Sequence, residues 1–434
     1  MYTPPFHRRI LPWIFIIMFV ACAPVVVFYT AGYRWNPLKE KIERNGTVIF
    51  DTSPVGARIL LNGKDSGYVT PRTIQNVSPG TYQIRYELEG YRPWEKRLDV
   101  LPERVTFAND VRLWKDGNLL KVEDGVILAI EPSPNGRNLV MVVVDGTSST
   151  RIDVRSSDLS AVGTFNLNQG FSAHPRVTWS LDSRAFIIET SSEGVRFAWL
   201  VNVRTGLGPI ALPSAIYRWN GSVLEGNDGT SLVSIDAGDG SIVREPFAFR
   251  VVDTFEDLTL RTATTTNALV LFRNGDPMHG FILPSGDWTI VTLTDGRLIL
   301  RDGSSWLSVG LENDTPDIVR ATGDALRSFT EKGSTSYLLV SDGEIWRWDE
   351  GKDAELLMRE SREVVDAVWH ADGRDLAFAN GSETSMLNLD GRDGRIRTLF
   401  ATFTSVSDIT LVDTDLLVCG EKDGQTGLWR MTIE

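Results

Sequence analysis

Cysteine and histidine are scarce in this chain of 434 residues, which contains two Cys and four His. Cys22 lies in an apolar N-terminal run and Cys419 lies near the C-terminus, so the two are poor candidates for a disulfide. Apart from one near the N-terminus, the histidines are His174, His279 and His370, which lie far apart in the sequence. The sequence therefore predicts no metal site and no cofactor, and stability has to come from packing.

Common catalytic motifs are also missing. The patterns H-E-x-x-H, C-x-x-C, G-x-S-x-G and G-x-x-x-x-G-K-[ST] do not occur, which excludes zincin, elbow-type hydrolase and P-loop chemistry. The acidic segments 236–240 and 390–394 lack the full oxygen spacing of a calcium loop, so we interpret them as hairpin turns. No catalytic residue is predicted, and the sequence favours a protein that is not an enzyme.

Positive charge is in short supply, since the formal net charge is −13. Residues 1–117 carry 16 Lys and Arg against 11 Asp and Glu, a net charge of +5, so the rest of the chain carries −18. An acidic body of this size repels phosphate backbones, and no nucleic-acid partner is expected. The charge favours solubility; a basic protein or a cation-rich surface layer as partner is the alternative interpretation.

The chain does contain one long apolar run. No charged residue occurs between Ile10 and Tyr33, a length of roughly 36 Å as a helix, which is enough to cross a bilayer core of about 30 Å. Pro12 is near the start of the run, and Pro24 should kink the helix without abolishing it. Residues 1–9 are therefore predicted to be a short cytoplasmic segment, residues 10–33 a transmembrane anchor and residues 34–45 a linker.

Two other interpretations of the run stay open. Small residues at 21–23 are suitable for cleavage of a signal peptide, and residues 19–22 weakly resemble a lipobox ending at Cys22. The run continues from Val25 to Phe28, which favours an uncleaved anchor. The Lys and Arg count after the run disfavours a cytoplasmic N-terminus, but Arg8-Arg9 before a long apolar run is the usual layout of an export signal. We expect a cytoplasmic N-terminus, with the bulk of the chain outside.

Residues 46–101 alternate between strand-like segments and turn residues, which predicts a small β-sandwich. Segments 47–50 and 57–61 are the first two strands. Asn62-Gly63 then predicts a two-residue hairpin turn, because both positions accept positive φ at low cost. A sheet domain of about 55 residues has one buried face, which is sufficient for a small sandwich.

These residues resemble the PEGA domain, a family named for a tetrapeptide that occurs here at 54–57 with Val in place of Glu. The resemblance covers nearly the whole segment. It implies a module similar to those of surface-layer and other exported proteins, without enzyme activity. The turn residues that carry it are Pro54, Gly56, Ala57, Asn62, Gly63, Thr70, Pro71, Pro79, Gly80, Gly90 and Tyr91.

Residues 105–434 repeat with a period of about 35–47 residues, which is typical of a propeller or solenoid. The clearest copies are 132–137, 179–184 and 369–374, and each is followed by an apolar strand. They resemble the propeller repeat of TolB-type and related proteins. Weaker copies predict eight blades, or seven if one copy merges; they centre near Trp219, Phe255, Leu293, Phe329 and Val412.

Two groups of tryptophans stand out in the repeats. Trp179, Trp219 and Trp369 occupy equivalent positions, so we expect them to pack between blades; the alternative is that some line a glycan-stacking surface. Trp346 and Trp348 share one strand, and we expect one of the two to be exposed, which makes them candidate binding-face aromatics.

The predicted architecture is all-β: a transmembrane helix, a PEGA-type β-sandwich and a propeller of seven or eight blades. We expect the segment 105–114 to supply the outer strand of the last blade, because an open ring would leave an unpaired edge. The predicted function is an extracytoplasmic binding or scaffolding protein of the cell envelope that uses the propeller face for a protein or glycan. The alternative is an anchored propeller hydrolase or lyase acting on envelope polymers, since propellers host both classes.

Overall fold

The computed structural model divides the chain into two compact units. The first contains Met1–Asp116 together with Asp390–Ile396 and Glu434, and the second contains Gly117–Leu389 and Arg397–Ile433. The structure describes residues 6–30, 33–36, 41–146, 149–171, 175–192, 195–228, 230–246, 251–262, 269–283, 288–294, 296–311, 317–323, 325–331, 334–341, 343–349 and 352–434.

The chain begins with a single long helix, α1 (Phe6–Thr30). The Thr30 hydroxyl donates to the carbonyls of Val26 and Val27 at 2.9 and 3.0 Å, which satisfies two backbone acceptors of the last turn. The linker predicted for 34–45 is not featureless, because β1 (Tyr33–Asn36) pairs with β2 (Lys41–Arg44) in an antiparallel hairpin.

The rest of the first unit is a β-sandwich. One sheet has the order β6-β3-β9 and the other has the order β5-β4-β7-β8. Its core includes Phe50, Tyr86 and Trp94, with the Tyr86 and Trp94 rings stacked at 5.1 Å. The strands are β3 (Gly46–Ser53), β4 (Arg58–Leu61), β5 (Lys64–Val69), β6 (Arg72–Val77), β7 (Gly80–Glu87), β8 (Trp94–Val100) and β9 (Val105–Arg112).

The position of β9 corrects two expectations. The segment 105–114 was predicted to close the propeller, but β9 pairs in parallel with β3, with Thr47 opposite Val105 and Ser53 opposite Arg112. The Tyr86 hydroxyl also donates to the carbonyl of Ala108, inside the sandwich core. The first unit therefore extends past residue 101, and a propeller boundary at residue 105 is wrong.

The second unit is a β-propeller. Its described residues form eight four-stranded antiparallel sheets, so the count of eight blades is confirmed. The strands of blades 1–4 are β11 (Ile127–Pro132), β12 (Asn138–Val144), β13 (Thr150–Ser156), β14 (Ala161–Leu167); β15 (Arg176–Trp179), β16 (Ala185–Ser192), β17 (Val195–Asn202), β18 (Leu207–Ala211); β19 (Ile216–Asn220), β20 (Val223–Asn227), β21 (Ser231–Asp236), β22 (Ile242–Pro246); β23 (Val251–Phe255), β24 (Leu258–Thr262), β25 (Leu269–Arg273), β26 (Asp276–Leu283).

Blades 5–8 follow the same plan, with one exception. The outer strand of blade 8 is β10 (Leu120–Asp124), which comes from the start of the unit. The other strands are β27 (Thr289–Thr294), β28 (Arg297–Asp302), β29 (Ser305–Gly310), β30 (Asp317–Thr322); β31 (Ala325–Glu331), β32 (Ser334–Ser341), β33 (Glu344–Asp349), β34 (Glu355–Arg359); β35 (Val364–Trp369), β36 (Asp375–Asn380), β37 (Glu383–Asn388), β38 (Arg397–Thr402); β39 (Ser405–Val412), β40 (Asp415–Lys422), β41 (Gln425–Thr432).

Blade 8 closes the ring. β10 pairs with β41, and the inner strand β39 packs against β11 of blade 1. The Ile130 N–H donates to Asp408 Oδ2 at 2.8 Å, and the Ser407 hydroxyl donates to the Ile127 carbonyl at 2.9 Å. Closure by a strand from the start of the unit was thus expected correctly, although the strand itself was misassigned.

The hydrophobic core of the propeller is divided among its blades. Six apolar clusters are described in this unit, and each joins two successive blades of the ring. Each blade is a sheet with two faces, and the apolar side chains of each face pack against the sheet of a neighbouring blade. Every blade thus depends on its neighbours for burial.

Candidate functional site

The PEGA tetrapeptide lies at one hydrogen-bonded end of the sandwich. The buried Thr52 and Thr70 hydroxyls lie 2.6 Å apart, and the Thr70 hydroxyl accepts the Ala57 N–H at 3.1 Å. The Thr70 carbonyl accepts the Gly56 N–H at 2.8 Å. Val55 is 63% exposed, so the Val that replaces Glu here faces solvent. The same turns contain Pro54 and Pro71, each preceded by a cis peptide bond.

The other turn residues fix hairpins. Asn62 and Gly63 have φ angles of 51° and 75° and join β4 to β5, so the predicted two-residue turn is present. The Asn62 side-chain oxygen accepts the Gln83 N–H at 2.9 Å. These positions serve backbone geometry. The remaining turn residues are Pro79 and Gly80 at the start of β7, and Gly90 and Tyr91 ahead of β8.

An open groove of about 680 Å³ lies on the first unit, and sequence reasoning missed it. Its apolar lining includes Leu101, Val105 and Phe107, which are 46%, 46% and 47% exposed. Arg97 and Arg104 add cationic groups to the lining. Val105 and Phe107 alternate on β9 and point away from the core. The sequence signal for this groove is the pair Val105 and Phe107, two apolar side chains on the outward face of one short strand.

The segment 390–396 binds to the edge of β8 within the first unit. The Lys96 ammonium, which is buried, lies 3.1 Å from Asp390 Oδ2, and the Arg97 N–H donates to Asp393 Oδ2 at 3.0 Å. Burial lowers the pKa of Lys96, and the Asp390 carboxylate opposes that shift. The Arg392 guanidinium donates to the Phe107 carbonyl at 2.7 Å. Both carboxylates are thus engaged with cations and backbone.

The carboxylates of the acidic turn 236–240 accept hydrogen bonds from nearby backbone N–H groups. Asp236 Oδ1 accepts the Gly238 N–H at 2.6 Å, and Asp239 Oδ1 accepts the Ser241 N–H at 2.8 Å. The Ser241 amide lowers the pKa of Asp239. Within the ranges that the structure describes, no group of three or more His, Cys, Asp or Glu side chains is placed to hold a metal ion.

The repeat tryptophans link neighbouring blades, as expected. Trp179 Nε1 of blade 2 donates to the Glu131 carbonyl of blade 1 at 3.2 Å, and Trp219 Nε1 of blade 3 donates to the Thr178 carbonyl of blade 2 at 3.0 Å. The Trp369 ring of blade 7 lies 5.5 Å from the Phe329 ring of blade 6. The glycan-stacking role is therefore not needed to explain these three side chains.

The two candidate binding-face tryptophans differ in burial. Trp348 is 1% exposed and packs against Tyr337 at 5.9 Å, so it cannot contact a partner from this position. The expectation fails for Trp348 because both faces of a blade are covered by neighbours. Trp346 is half-buried, with Nε1 donating to Glu344 Oε2 at 2.9 Å, and its role in binding stays a prediction.

Buried aspartates on inner strands connect blades near the propeller axis, and no motif announced them. Asp253 is 1% exposed and follows a register shift in β23. Its carboxylate accepts the Ile290 N–H of blade 5 at 2.7 Å and lies 2.8 Å from the Arg218 guanidinium of blade 3. Asp408 connects blade 8 to Ile130 of blade 1 in the same way. These charges are structural, because they join three successive inner strands.

One carboxylate of the propeller, that of Glu189, is not explained by a structural contact. Glu189 lies on β16 opposite Arg176, the first residue of the inner strand β15, and Arg301 lies on β28 at the position in blade 5 that is equivalent to Glu189. Burial raises the pKa of Glu189, and the charges of Arg176, Arg196 and Arg301 oppose that shift. Blades 2 and 5 are three steps apart in the ring, so the influence of Arg301 acts across the opening. The charges of three arginines, from blades 2 and 5, therefore act on one acid.

Comparisons with known proteins agree with this geometry for the first unit. The family model described as the PEGA domain matches residues 45–113, which includes β9. A comparison with curated proteins finds no significant match.

Solved structures similar to the chain include three propellers. The C-terminal WD40 domain of Sif2 has 13% identity and a TM-score of 0.45, covering 73% of this chain and 97% of that one. The Dos1 propeller has 12% identity and a TM-score of 0.45, covering 74% and 95%. Apo AztD from Citrobacter koseri has 11% identity and a TM-score of 0.42, covering 69% and 98%. The chain thus combines a region that matches the PEGA domain with a propeller defined by its own strand pairing.

Proposed function

We propose that this protein is a single-pass membrane-anchored scaffold of the cell envelope, which binds its partner and does not act as an enzyme. The observation that carries the proposal is the segment Trp13–Thr30, which is long and apolar enough to cross a membrane and has none of its length buried in the protein. Ile17 and Phe19 are 67% and 71% exposed. Exposing an apolar surface of this extent to water is unfavourable, so we expect it to be buried in a membrane.

The topology that we propose has residues 1–9 in the cytoplasm and both β units outside it. The short basic segment Arg8-Arg9 ahead of the apolar helix supports this orientation, because it has the layout of an export signal. The match of residues 45–113 to the PEGA domain is consistent with an exported module.

The partner-binding surface is proposed to lie on the faces and central opening of the propeller. The tryptophans between blades are occupied in packing, so a protein or glycan partner meets loops, the half-buried Trp346 and the charged opening. Repeated loops on a rigid ring offer a broad surface, which suits recognition of a folded protein or an extended polymer.

Protease accessibility in intact cells tests the topology. The full chain carries an N-terminal and a C-terminal epitope, and protease is added before and after the membrane is permeabilised. We expect loss of the C-terminal epitope in intact cells and of the N-terminal epitope only after permeabilisation. A paired Ile16→Lys and Phe19→Lys variant should leave the membrane fraction, at a cost of about 3 kcal/mol per charge. Protection of the C-terminal epitope in intact cells would rule the orientation out.

Capture from detergent-solubilised membranes tests the binding role. We expect the full chain to retain a specific envelope protein or glycan, and a Trp346→Ala variant to retain less. Trp348→Ala is unsuitable as the matched variant because it opens a cavity in the blade. Recovery of the same material by the isolated span alone would contradict binding through the propeller.

The second candidate function is a hydrolase or lyase acting on acidic envelope polymers, favoured by Glu189 and its three arginines. A carboxyl group with a raised pKa can serve as a general acid, and arginines can bind a polyanion. Glu189→Gln keeps the shape of the side chain and removes its proton chemistry. Turnover of an acidic polysaccharide by the parent and not by this variant would support the enzyme; binding unchanged by the substitution, without turnover, would support the scaffold.

A further inference from the structure

Strand direction fixes which end of the sandwich lies beside the anchor. β3 begins at Gly46, directly after the hairpin that follows α1, and runs away from it. β9 is parallel to β3, so its first residue, Val105, lies opposite Thr47 at the same end. The Thr47 N–H donates to the Arg104 carbonyl at 3.0 Å. The start of β9 is therefore held within a few residues of the anchor.

The turn before β9 is tied to the same place by two further contacts. The Glu103 N–H donates to the Asn45 carbonyl at 3.2 Å, and the Glu103 carboxylate forms an ion pair with Arg44. The Arg44 guanidinium also lies 4.5 Å from the centre of the Tyr33 ring, on the first strand after α1. These contacts connect the hairpin after the helix to the turn ahead of β9.

The surface at this end is amphipathic. We call it the anchor-side face and define it as Leu101, Arg104, Val105 and Phe107. Its three apolar side chains are close to half exposed, although each lies beside the groove described above. For the part of the chain that the structure describes, Arg104 has no ion-pair partner. Exposed apolar side chains beside an exposed guanidinium match the chemistry of a lipid–water interface.

The charge distribution along the chain favours the same partner. Residues 34–117, which the proposed topology places outside the cytoplasm, carry 14 Lys and Arg against 11 Asp and Glu, a net charge of +3, whereas residues 118–434 carry −18. Lys and Arg beside an anionic membrane contribute about 1 kcal/mol each and act within a Debye length. Only the part of the chain next to the anchor has the sign that an anionic membrane attracts.

We propose that the anchor-side face lies on the bilayer that holds α1 and binds its phospholipids. Leu101, Val105 and Phe107 enter the boundary between headgroups and acyl chains, and Arg104 binds the phosphate of an anionic headgroup. The inference rests on the proposed membrane anchoring. It goes beyond that proposal because it places the sandwich in contact with the membrane, whereas anchoring by α1 alone would leave the sandwich free to move relative to the membrane.

Single-cysteine proteins reconstituted in nanodiscs test the proposal. Each carries an environment-sensitive fluorophore, and the nanodiscs contain equimolar phosphatidylcholine and phosphatidylglycerol with a nitroxide-labelled lipid as quencher. The first protein uses the native Cys22 in α1, since Cys419 is buried. The second combines Cys22→Ser with Val105→Cys. The third combines Cys22→Ser with Val55→Cys, an exposed apolar position beyond the other end of β3, roughly 20 Å or more along the strand.

The expected result is quenching at positions 22 and 105 and no quenching at position 55. Quenching at position 22 alone would overturn the face and leave the anchor intact. No quenching at position 22 would overturn the anchor, and the face with it. An emission shift at position 105 in lipid-free detergent that grows with protein concentration would mean that a second copy covers the face, which also overturns the proposal.

A charge variant separates lipid binding from simple proximity. Arg104→Gln should weaken docking of position 105 about fivefold on the mixed lipid and leave it unchanged on pure phosphatidylcholine. Arg72→Gln is the matched control, because Arg72 pairs with Phe50 toward the far end of the sandwich. Equal effects of the two variants, or an effect that persists on pure phosphatidylcholine, would contradict phosphate binding by Arg104.

Discussion

The two β units bury their sheets in different ways. The sandwich places two sheets over one shared core, and among the described residues no further strand pairs with the outer strands of either sheet. The propeller divides its core among successive blades and completes its last blade by pairing β10 with β41. A defect in the sandwich acts on a single core. A defect in the propeller acts on a ring in which every blade needs two neighbours.

The same contrast governs where the charges lie. In the sandwich most ion pairs are at the surface, such as Arg58 with Glu87, and are worth little. In the propeller Asp253 and Arg218 are buried together at the inner strands. Removing one partner of a buried pair leaves the other uncompensated, which costs far more than the pair contributes. The propeller should therefore be more sensitive to single polar substitutions than the sandwich.

The strongest test of this contrast is Asp253→Ala. The substitution leaves the Arg218 guanidinium, 10% exposed, without its main partner and leaves the Ile290 N–H without its acceptor. We expect a loss of about 3–5 kcal/mol in the propeller transition, measured by calorimetry. Asp253→Asn retains an acceptor for the amide and should lose less. If both variants changed stability by less than the error of the measurement, the blade-linking role would be wrong.

Ring closure is tested by Gly427→Ala. A methyl group at this position would overlap the Glu123 carbonyl oxygen of β10, so the pairing of β10 with β41 has to shift. We expect a loss of about 1–3 kcal/mol, seen as a lower midpoint for the whole propeller in denaturant. Gly381→Ala is the matched control, because the added methyl group meets open space. Equal behaviour of the two alanines would argue against a closed ring.

The sandwich side of the comparison is tested by Gly63→Val. Gly63 has a φ of +75° and nothing lies within 4 Å of an added Cβ, so the cost comes from backbone strain alone. We expect a loss of about 1–3 kcal/mol in the first unit, and no shift in the propeller transition. Gly63→Asn should recover most of the loss, since Asn accepts positive φ. A propeller transition that moved equally would contradict the separation of the units.

The smallest expected effect concerns Asp375 in blade 7. Burial raises its pKa to about 7, the Asn388 amide opposes the shift, and the Asp372 charge adds to it. The folded pKa lies above the unfolded value of 3.8, so the carboxyl group favours folding below about pH 4 and loses this contribution as pH rises through 7. Asp375→Asn cannot ionise. It should be more stable than the parent at pH 8 by about 1 kcal/mol, with a smaller difference at pH 5.

Thermal midpoints across this pH range would check that sign. The turn in blade 1 has Asn138 at the equivalent position, which supports the exchange as a native-like one. His370 Nδ1 lies 2.9 Å from Asp372 Oδ1, in the place where the Ser180 hydroxyl donates to Asp182 at 2.7 Å in blade 2. A variant less stable than the parent at pH 8 would mean that the charged form of Asp375 is the one the fold needs.

Much of the fold could be predicted because its signals are local. The weak repeat centres at Trp219, Phe255 and Val412 all fall at or near the ends of inner strands, since each blade repeats one hydrophobic pattern and one turn. The hairpin at Asn62-Gly63 was predictable for the same reason. The local sequence pattern determines where a strand and its turn form, so both could be predicted.

Partner choice between distant strands could not be read in this way. The pattern of Val105–Arg112 is compatible with either sheet, and nothing local distinguishes pairing with β3 from pairing with β41. The burial of Trp348 was missed because the expectation assumed that one face of the strand is exposed to solvent. In a blade, both faces are covered by neighbouring blades. Glu189 and Arg301 are far apart in the sequence, and only the ring brings the charge of Arg301 within reach of Glu189.

The pairing of β10 with β41 has a consequence for the order of synthesis. Leu120–Asp124 is made first, whereas its partner β41 follows roughly 300 residues later. At about 5–20 residues per second, that strand waits on the order of 15 to 60 s for its partner. During that time one edge of the growing propeller stays open to wrong pairings. The synthesis of β41 therefore decides whether the blades made before it become a closed ring.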